Sequence, residues 1–383
     1  MLLNKNIIIN NLLYFLSFLL FFILSRQVPF DSLSFLMNFA LFAIVLLRLN
    51  KVIYSMNKNR DLLVLFIVTV AYLVFNFFYS LLLGNDVSNI LRFFLIILFL
   101  LISYFIVLPV KIIKIFIYLY SIHALLIIVF SLLLSLYFSN SDYLPIRAFI
   151  REKEWGDIFT YNGWFYRVQI KGNALLPVAF FTTFFYNFNY KKTIRLILLI
   201  GCVIAGNFAF LIAIFLFFLF FYLKKNNLKK NLKRVSLILL FSGIFSLPFY
   251  NYFIKDTIEL KSEGSLPLRN EQLNLLINDM SESYYYIFGK GLGNTINKST
   301  PYRDYRDDIY FELQSVYFLN QIGLIGMLLF VIYNCYLTIR LFNRGLILLY
   351  FCFLFYALTN PYIFDTNHFA VILIINSLQY NET

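Results

Sequence analysis

Eleven apolar runs follow one another along the chain, at about 7–25, 32–48, 62–83, 90–108, 112–138, 173–189, 196–223, 235–250, 316–339, 346–358 and 369–380. Most approach the ~20 residues that a helix needs to cross a bilayer. No other feature constrains the fold as strongly, because backbone that enters lipid must satisfy its own hydrogen bonds, which favours helices. Composition excludes the alternative of a soluble domain. With 61% hydrophobic and 13% charged residues, there is too little polar surface to cover a water-facing exterior. The expectation is an all-α polytopic membrane protein, a single integral domain over residues 1–383.

The run 196–223 does not fit one span. It is about 28 residues long, roughly 42 Å as a continuous helix, and both ends are basic: Lys191, Lys192 and Arg195 before it, Lys224, Lys225, Lys229, Lys230, Lys233 and Arg234 after it. The positive-inside rule places both flanks in the cytoplasm. Two short helices turning at Ala205-Gly206-Asn207 satisfy that rule; one long tilted helix is the alternative. With the turn, the count is about twelve transmembrane segments and both termini are cytoplasmic. On this topology, 18 of the 32 Lys/Arg but only 2 of the 19 Asp/Glu lie on the inner side. The basic balance therefore reports orientation rather than a nucleic-acid partner, and the Lys224–Arg234 cluster reads as an anchor to anionic lipid. The N-terminal run lacks a small-residue cleavage site at LSRQVPFD and reads as a retained anchor. Cys202, Cys335 and Cys352 all fall in apolar runs, as small packing residues.

Two outer loops, 139–172 and 251–315, hold 12 of the 32 basic and 14 of the 19 acidic residues. Loops that only connect spans need no such density, so a polar ligand is expected there. Polar candidates within the spans are few, Asn76, His123 and Asn207, whereas a transporter would concentrate them near the midplane. In the second loop, Leu273, Leu276, Ile277 and Met280 recur as one helix face after Pro267 and Arg269. A helix N-terminus near Arg269 would suit an anion, and an interfacial anchor on lipid phosphate is the competing reading. The turn GKGLGN, Gly289 to Asn294, lacks the strand and helix of a phosphate loop and reads as a turn. In DYRDD, Asp304, Asp307 and Asp308 are interleaved with Arg303 and Arg306, which argues against a metal site. His368 shows no partner in the sequence. Glu312, in YFELQSVYFLNQIGLIGML, ends the charged region at the edge of an apolar run; such a carboxylate is costly there unless it is paired or used.

Three of these features together resemble the Wzy-type O-antigen and capsule repeat-unit polymerases, and more distantly the O-antigen ligases. They are RVQIKGNALLP closing the first loop, Arg269 followed after an amphipathic helix by GKGLGN, and the carboxylate run into NQIGLIGML. In ligases the position eleven before Gly323 is typically His; Glu312 stands there, as in many polymerases. The ligases' Ser-Arg-Gly-like turn is Ala205-Gly206-Asn207 here, so no arginine is carried onto it, and Lys171 or Arg151 is left as a substitute cation. The resemblance implies a C-type glycosyltransferase architecture in the bacterial inner membrane, acting at its periplasmic face. Its substrate would be an undecaprenyl-diphosphate-linked oligosaccharide for O-antigen, lipopolysaccharide or capsule. It implies Arg167, Arg269 and Lys171 as diphosphate-binding residues and Glu312 as the catalytic base. Membrane lipids and a chain-length regulator protein are its expected partners, and neither a cofactor nor a metal is needed. A ligase acting on lipid A core, and a non-enzymatic flippase of the same lipids, are the alternative readings.

Overall fold

The computed structural model describes residues 2–25, 33–138, 142–160, 165–223, 255–300, 303–306, 309 and 311–382. The apolar run 235–250, the cluster Lys224–Arg234, and Asp307 and Asp308 lie outside the described residues.

The chain is a mostly helical, membrane-embedded protein. Among the described residues, five helices are long and apolar enough to cross a bilayer, over Ile7–Leu24, Phe35–Asn57, Arg60–Leu82, Lys111–Tyr137 and Gln314–Leu341. Shorter apolar helices cover Val87–Ser103, Phe208–Phe221 and Arg344–Leu358. Large apolar side chains such as Phe15, Phe35, Leu82 and Leu136 stand exposed on this exterior. In water they would be a liability; against lipid tails they are in their own solvent.

The helices are α1 (Leu2–Leu24), α2 (Ser34–Asn57), α3 (Arg60–Leu82), α4 (Val87–Ser103), α5 (Lys111–Tyr137), α6 (Leu144–Glu152), α7 (Leu176–Thr182), α8 (Lys191–Ile204) and α9 (Phe208–Leu223). They continue as α10 (Lys255–Asp279), α11 (Ser283–Phe288), α12 (Gln314–Leu341), α13 (Arg344–Leu358) and α14 (Thr366–Glu382). From Phe369 to Leu378, α14 is buried on every side. A helix apolar all round belongs at the centre of the bundle. There α4, α5 and α13 pack against it. Asn376 secures one contact by donating to the carbonyls of Ser103, Tyr104 and Ile106, where α4 ends.

The run 173–189 is not a single α-helix. A 3-10 turn (Lys171–Leu175) leads into α7, and the N–H groups of Thr183, Phe184 and Phe185 bond carbonyls three residues back. Thr182 and Thr183 also return their hydroxyls to Val178 and Phe180 carbonyls. Irregular backbone is tolerated here because α7 is wholly buried in protein.

The first large loop departs from the all-α expectation. It folds α6 onto an antiparallel hairpin, β1 (Gly156–Thr160) and β2 (Tyr166–Ile170), with Phe159 opposite Arg167. Ile150, Ile158, Tyr143 and Tyr166 share a small core with Leu134 of α5. Arg147 clamps Asp157 at 2.7 and 2.9 Å, and this contact holds the guanidinium above its ordinary pKa.

The run 196–223 is two helices, and they run antiparallel. Arg195, at the start of α8, stacks its guanidinium 3.8 Å above the Phe184 ring and bonds Thr183. Phe217 and Phe221, near the end of α9, pack on the same Phe184 ring at 5.3 and 5.6 Å. The start of α8 and the end of α9 thus meet one side chain, which fixes the reversal at Ala205-Gly206-Asn207. Gly206 makes it with φ +65, in the left-handed region that a side chain disfavours.

Candidate active site

The turn at Gly206 is where the first large loop meets the bundle. Along β2, Arg167 and Gln169 share one face, as period-two alternation requires. Both donate toward the Gly206 carbonyl, at 3.4 and 3.5 Å. Arg167 lies between the Phe159 and Phe208 rings, 5.5 and 5.3 Å away, and is only 8% exposed. A Cβ on Gly206 would sit 2.5 Å from its Cδ, so the glycine is required for the arginine to lie there.

From this turn a polar chain leads to the second loop. Asn207 donates to Asn360 Oδ1 at 2.9 Å while its own Oδ1 caps the Ala209 N–H at the start of α9. Asn360 bonds the Thr359 hydroxyl and the Tyr356 carbonyl at the end of α13. The Thr359 carbonyl receives Arg269 Nη2 at 3.4 Å, and Arg269 Nε reaches Glu312 Oε2 at 3.2 Å. Arg167, Arg269 and Glu312 are thereby gathered from three distant parts of the chain onto one network. Two guanidiniums and one carboxylate leave it with a net positive charge, suited to an anion. Arg269 and Glu312 are 35% and 33% exposed, so a ligand from outside can reach them.

The surrounding backbone is held by amides. Gln272, buried on α10, accepts the N–H groups of Glu312 and Leu313 at 3.1 and 3.4 Å. Gln314 exchanges two bonds with the backbone of Phe364. His368 supports the same 359–365 connection: its Nδ1 lies 2.6 Å from the Ile363 carbonyl and must carry the proton, since a carbonyl only accepts. Nε2 is then the acceptor for Tyr350, also at 2.6 Å. His368 therefore does have partners, both brought to it by the fold.

Several sequence expectations change in place or in kind. Pro267 does not open a helix; α10 begins at Lys255 and Pro267 lies inside it, so no helix N-terminus faces Arg269. From 267 to 280 the buried positions are Gln272 and Leu276 on α10 and Met280 just past its end, whereas Ile277 is exposed. Glu312 is paired, and its partner is Arg269. Arg306 holds Asp304, whose carboxyl it pulls down to about 2 through hydrogen bonds, so the first carboxylate of DYRDD is already engaged. Lys171 lies apart from the network, 3.6 Å from Glu154 in the connection between α6 and β1.

The GKGLGN turn serves the fold. At Gly323, α12 is broken, with φ 65 and ψ −178, and carbonyls before the break lose their helical donors. Lys290 and Gly291 supply N–H groups to the carbonyls of Asn320 and Gln321, at 2.6 and 3.0 Å. Tyr72 donates to that of Ile322 at 2.7 Å. On the other side, Ser80 and Asn76 accept the Leu292 N–H, and Asn85 donates to Lys290 and Leu292 carbonyls. These N–H groups are committed to protein partners and leave no phosphate cradle. Asn76 is thus a docking residue for this turn, and His123 meets Asn173 at 2.9 Å.

Sequence reading did not find Gln169, Gln272, Gln314, Thr359 or Asn360. Asn360-Pro361 after a long apolar helix is an ordinary turn signal, and nothing local marks the glutamines. The chain has no significant match among protein-family models or among curated protein sequences.

Proposed function

We propose that this protein is a glycosyltransferase that polymerises polyprenyl-diphosphate-linked oligosaccharide repeat units, destined for O-antigen or capsular polysaccharide, at the periplasmic face of the inner membrane. The reading includes about twelve spans, cytoplasmic termini and a C-type glycosyltransferase architecture. The observation that carries it is the joining of Arg167, Arg269 and Glu312 in one network at the outer end of the α8–α9 turn. It is the pairing of an anion-binding group with a carboxylate that such a reaction needs.

In the proposed step, a sugar hydroxyl of the newly arrived lipid-linked unit attacks the anomeric carbon of the growing glycan. Glu312 takes the hydroxyl proton, a contribution typically worth ~10²- to 10⁴-fold. The bond from the anomeric carbon to the diphosphate breaks, and its electron pair leaves with the lipid diphosphate. Arg269, open to the exterior, offers a planar fork to that developing charge; fixed donors of this kind are worth ~10²- to 10³-fold. Arg167, at the floor of the site, adds positive potential and holds the turn.

Purified protein given a lipid-diphosphate-linked repeat unit should produce a ladder of lengthened glycans. Transfer to a lipid A core instead would identify a ligase, and movement of the lipid across a vesicle without bond formation a flippase.

A further inference from the structure

Arg269 and Gln272 lie one helical turn apart on α10 and hold the same residue in different ways. Arg269 binds the carboxylate of Glu312 at 3.2 Å. Gln272 binds its backbone, with the amide oxygen shared between the N–H groups of Glu312 and Leu313. Two residues on, Gln314 ties the same segment to Phe364. The peptide is therefore fixed from two sides, whereas among the described residues the carboxylate is held through its ion pair.

That ion pair sets the two proposed roles against each other. A carboxylate engaged by a guanidinium is a poor proton acceptor, and a guanidinium engaged by a carboxylate is a poor anion site. A diphosphate carries more charge than a carboxylate and can take the guanidinium fork in bidentate fashion. Its arrival would occupy Arg269 and free Glu312 in one event. The partial exposure of the pair leaves the route open, and Gln272 would stop the freed residue from swinging away.

We propose that Gln272 is the positioning residue of this site, keeping Glu312 in place while Arg269 exchanges the carboxylate for the diphosphate of the donor. Donor binding then precedes activation of the acceptor hydroxyl. This rests on the glycosyltransferase reading above.

The test is amidation of Glu312 by a water-soluble carbodiimide and glycine ethyl ester, followed by peptide mass spectrometry, with and without inorganic pyrophosphate. In the wild-type protein, labelling of Glu312 should rise severalfold with pyrophosphate, while that of Glu154 and Asp304, paired elsewhere, stays level. Gln272→Met should leave pyrophosphate affinity and the donor KM near wild type but lower kcat by ~10-fold or more, as loss of positioning does. If pyrophosphate binds in an Arg269-dependent way yet Glu312 labelling stays flat, the exchange is wrong and the anion site stands. If Arg269→Ala leaves pyrophosphate affinity unchanged, the anion site itself fails, and the exchange with it. An unchanged kcat in Gln272→Met overturns the positioning role. The wild-type measurement decides the exchange even if that variant does not fold.

Discussion

Glu312 can serve as a base, or it can simply hold Arg269 in position, and the two roles separate under one substitution. Gln keeps the size and can still accept from the guanidinium, so a tether predicts turnover within about threefold of wild type, whereas loss of a base costs at least ~10²-fold. Purified Glu312→Gln is expected to show the larger loss, read as the rate of glycan lengthening. Arg269→Lys keeps the charge but not the planar fork, and a point charge is a poor substitute at a bidentate site. It is expected to shorten the polymer almost as much as Arg269→Ala, checked by glycan length on gels at equal protein abundance. Glu312 was legible in the sequence because it is a charge at an apolar boundary, where charge is costly, and Arg269 because it heads an apolar helix face in the second loop. Their partnership was not. They are 43 positions apart, and the contact depends on how α10 docks on α12. Lys171 stands in the sequence only as a substitute for the arginine that the 205–207 turn lacks, but β2 ends before it and its ammonium turns to Glu154.

At the scale of elements, two glycines hold the site and the bundle together in ways that can be told apart from mere backbone freedom. Gly323→Ala adds a Cβ 2.3 Å from the Ile287 carbonyl oxygen and 2.5 Å from the Gly289 nitrogen, in a conformation that side chains avoid. Gly84 also has positive φ, but nothing lies within 4 Å of its would-be Cβ. Gly84→Ala should therefore cost only the backbone strain, ~1–2 kcal/mol, while Gly323→Ala costs more by the displacement of the whole 287–291 turn. Thermal unfolding of both variants in the same detergent gives the difference, and equal shifts would mean that the turn does not depend on this contact. Gly206→Ala should show a different balance, with modest destabilisation of ~1–2 kcal/mol but a marked fall in activity, because the new methyl must push Arg167 aside. Periodicity and length recovered most helices, and the excess length of 196–223 revealed its break. Pro267 misled because proline marks a helix start more often than its middle; here the helix runs through it. Gly323 and GKGLGN looked like two separate features, since no local pattern shows that one supplies donors to the carbonyls freed by the other.

For the whole molecule, the apolar runs were enough to give a membrane-embedded helical bundle, because continuous runs near ~20 residues suit a spanning helix, whereas a barrel strand is about half that length. The depth of each helix was harder to read, as α7 and α14 owe their apolar character to burial in protein rather than to contact with lipid. Orientation rests on the basic flanks, and the structure adds which parts of the chain share an end of the helix pair. The start of α8 and the end of α9 meet at Phe184, while the turn between them meets Arg167 in the first large loop. Lys192 and the chain after Leu223 should therefore emerge on one face of the membrane, and the α6–hairpin unit on the other. With Cys202, Cys335 and Cys352 replaced, single cysteines at Lys192 and Lys229 are expected to react with an impermeant maleimide only in inverted vesicles or lysed cells. A cysteine at Glu154 should react from the periplasmic side of intact spheroplasts. Reaction of Lys192 and Lys229 from opposite faces would leave an odd number of crossings between them and eliminate the twelve-span arrangement. Reaction of Glu154 from the cytoplasmic face would put the entire site on the wrong side for a substrate polymerised in the periplasm.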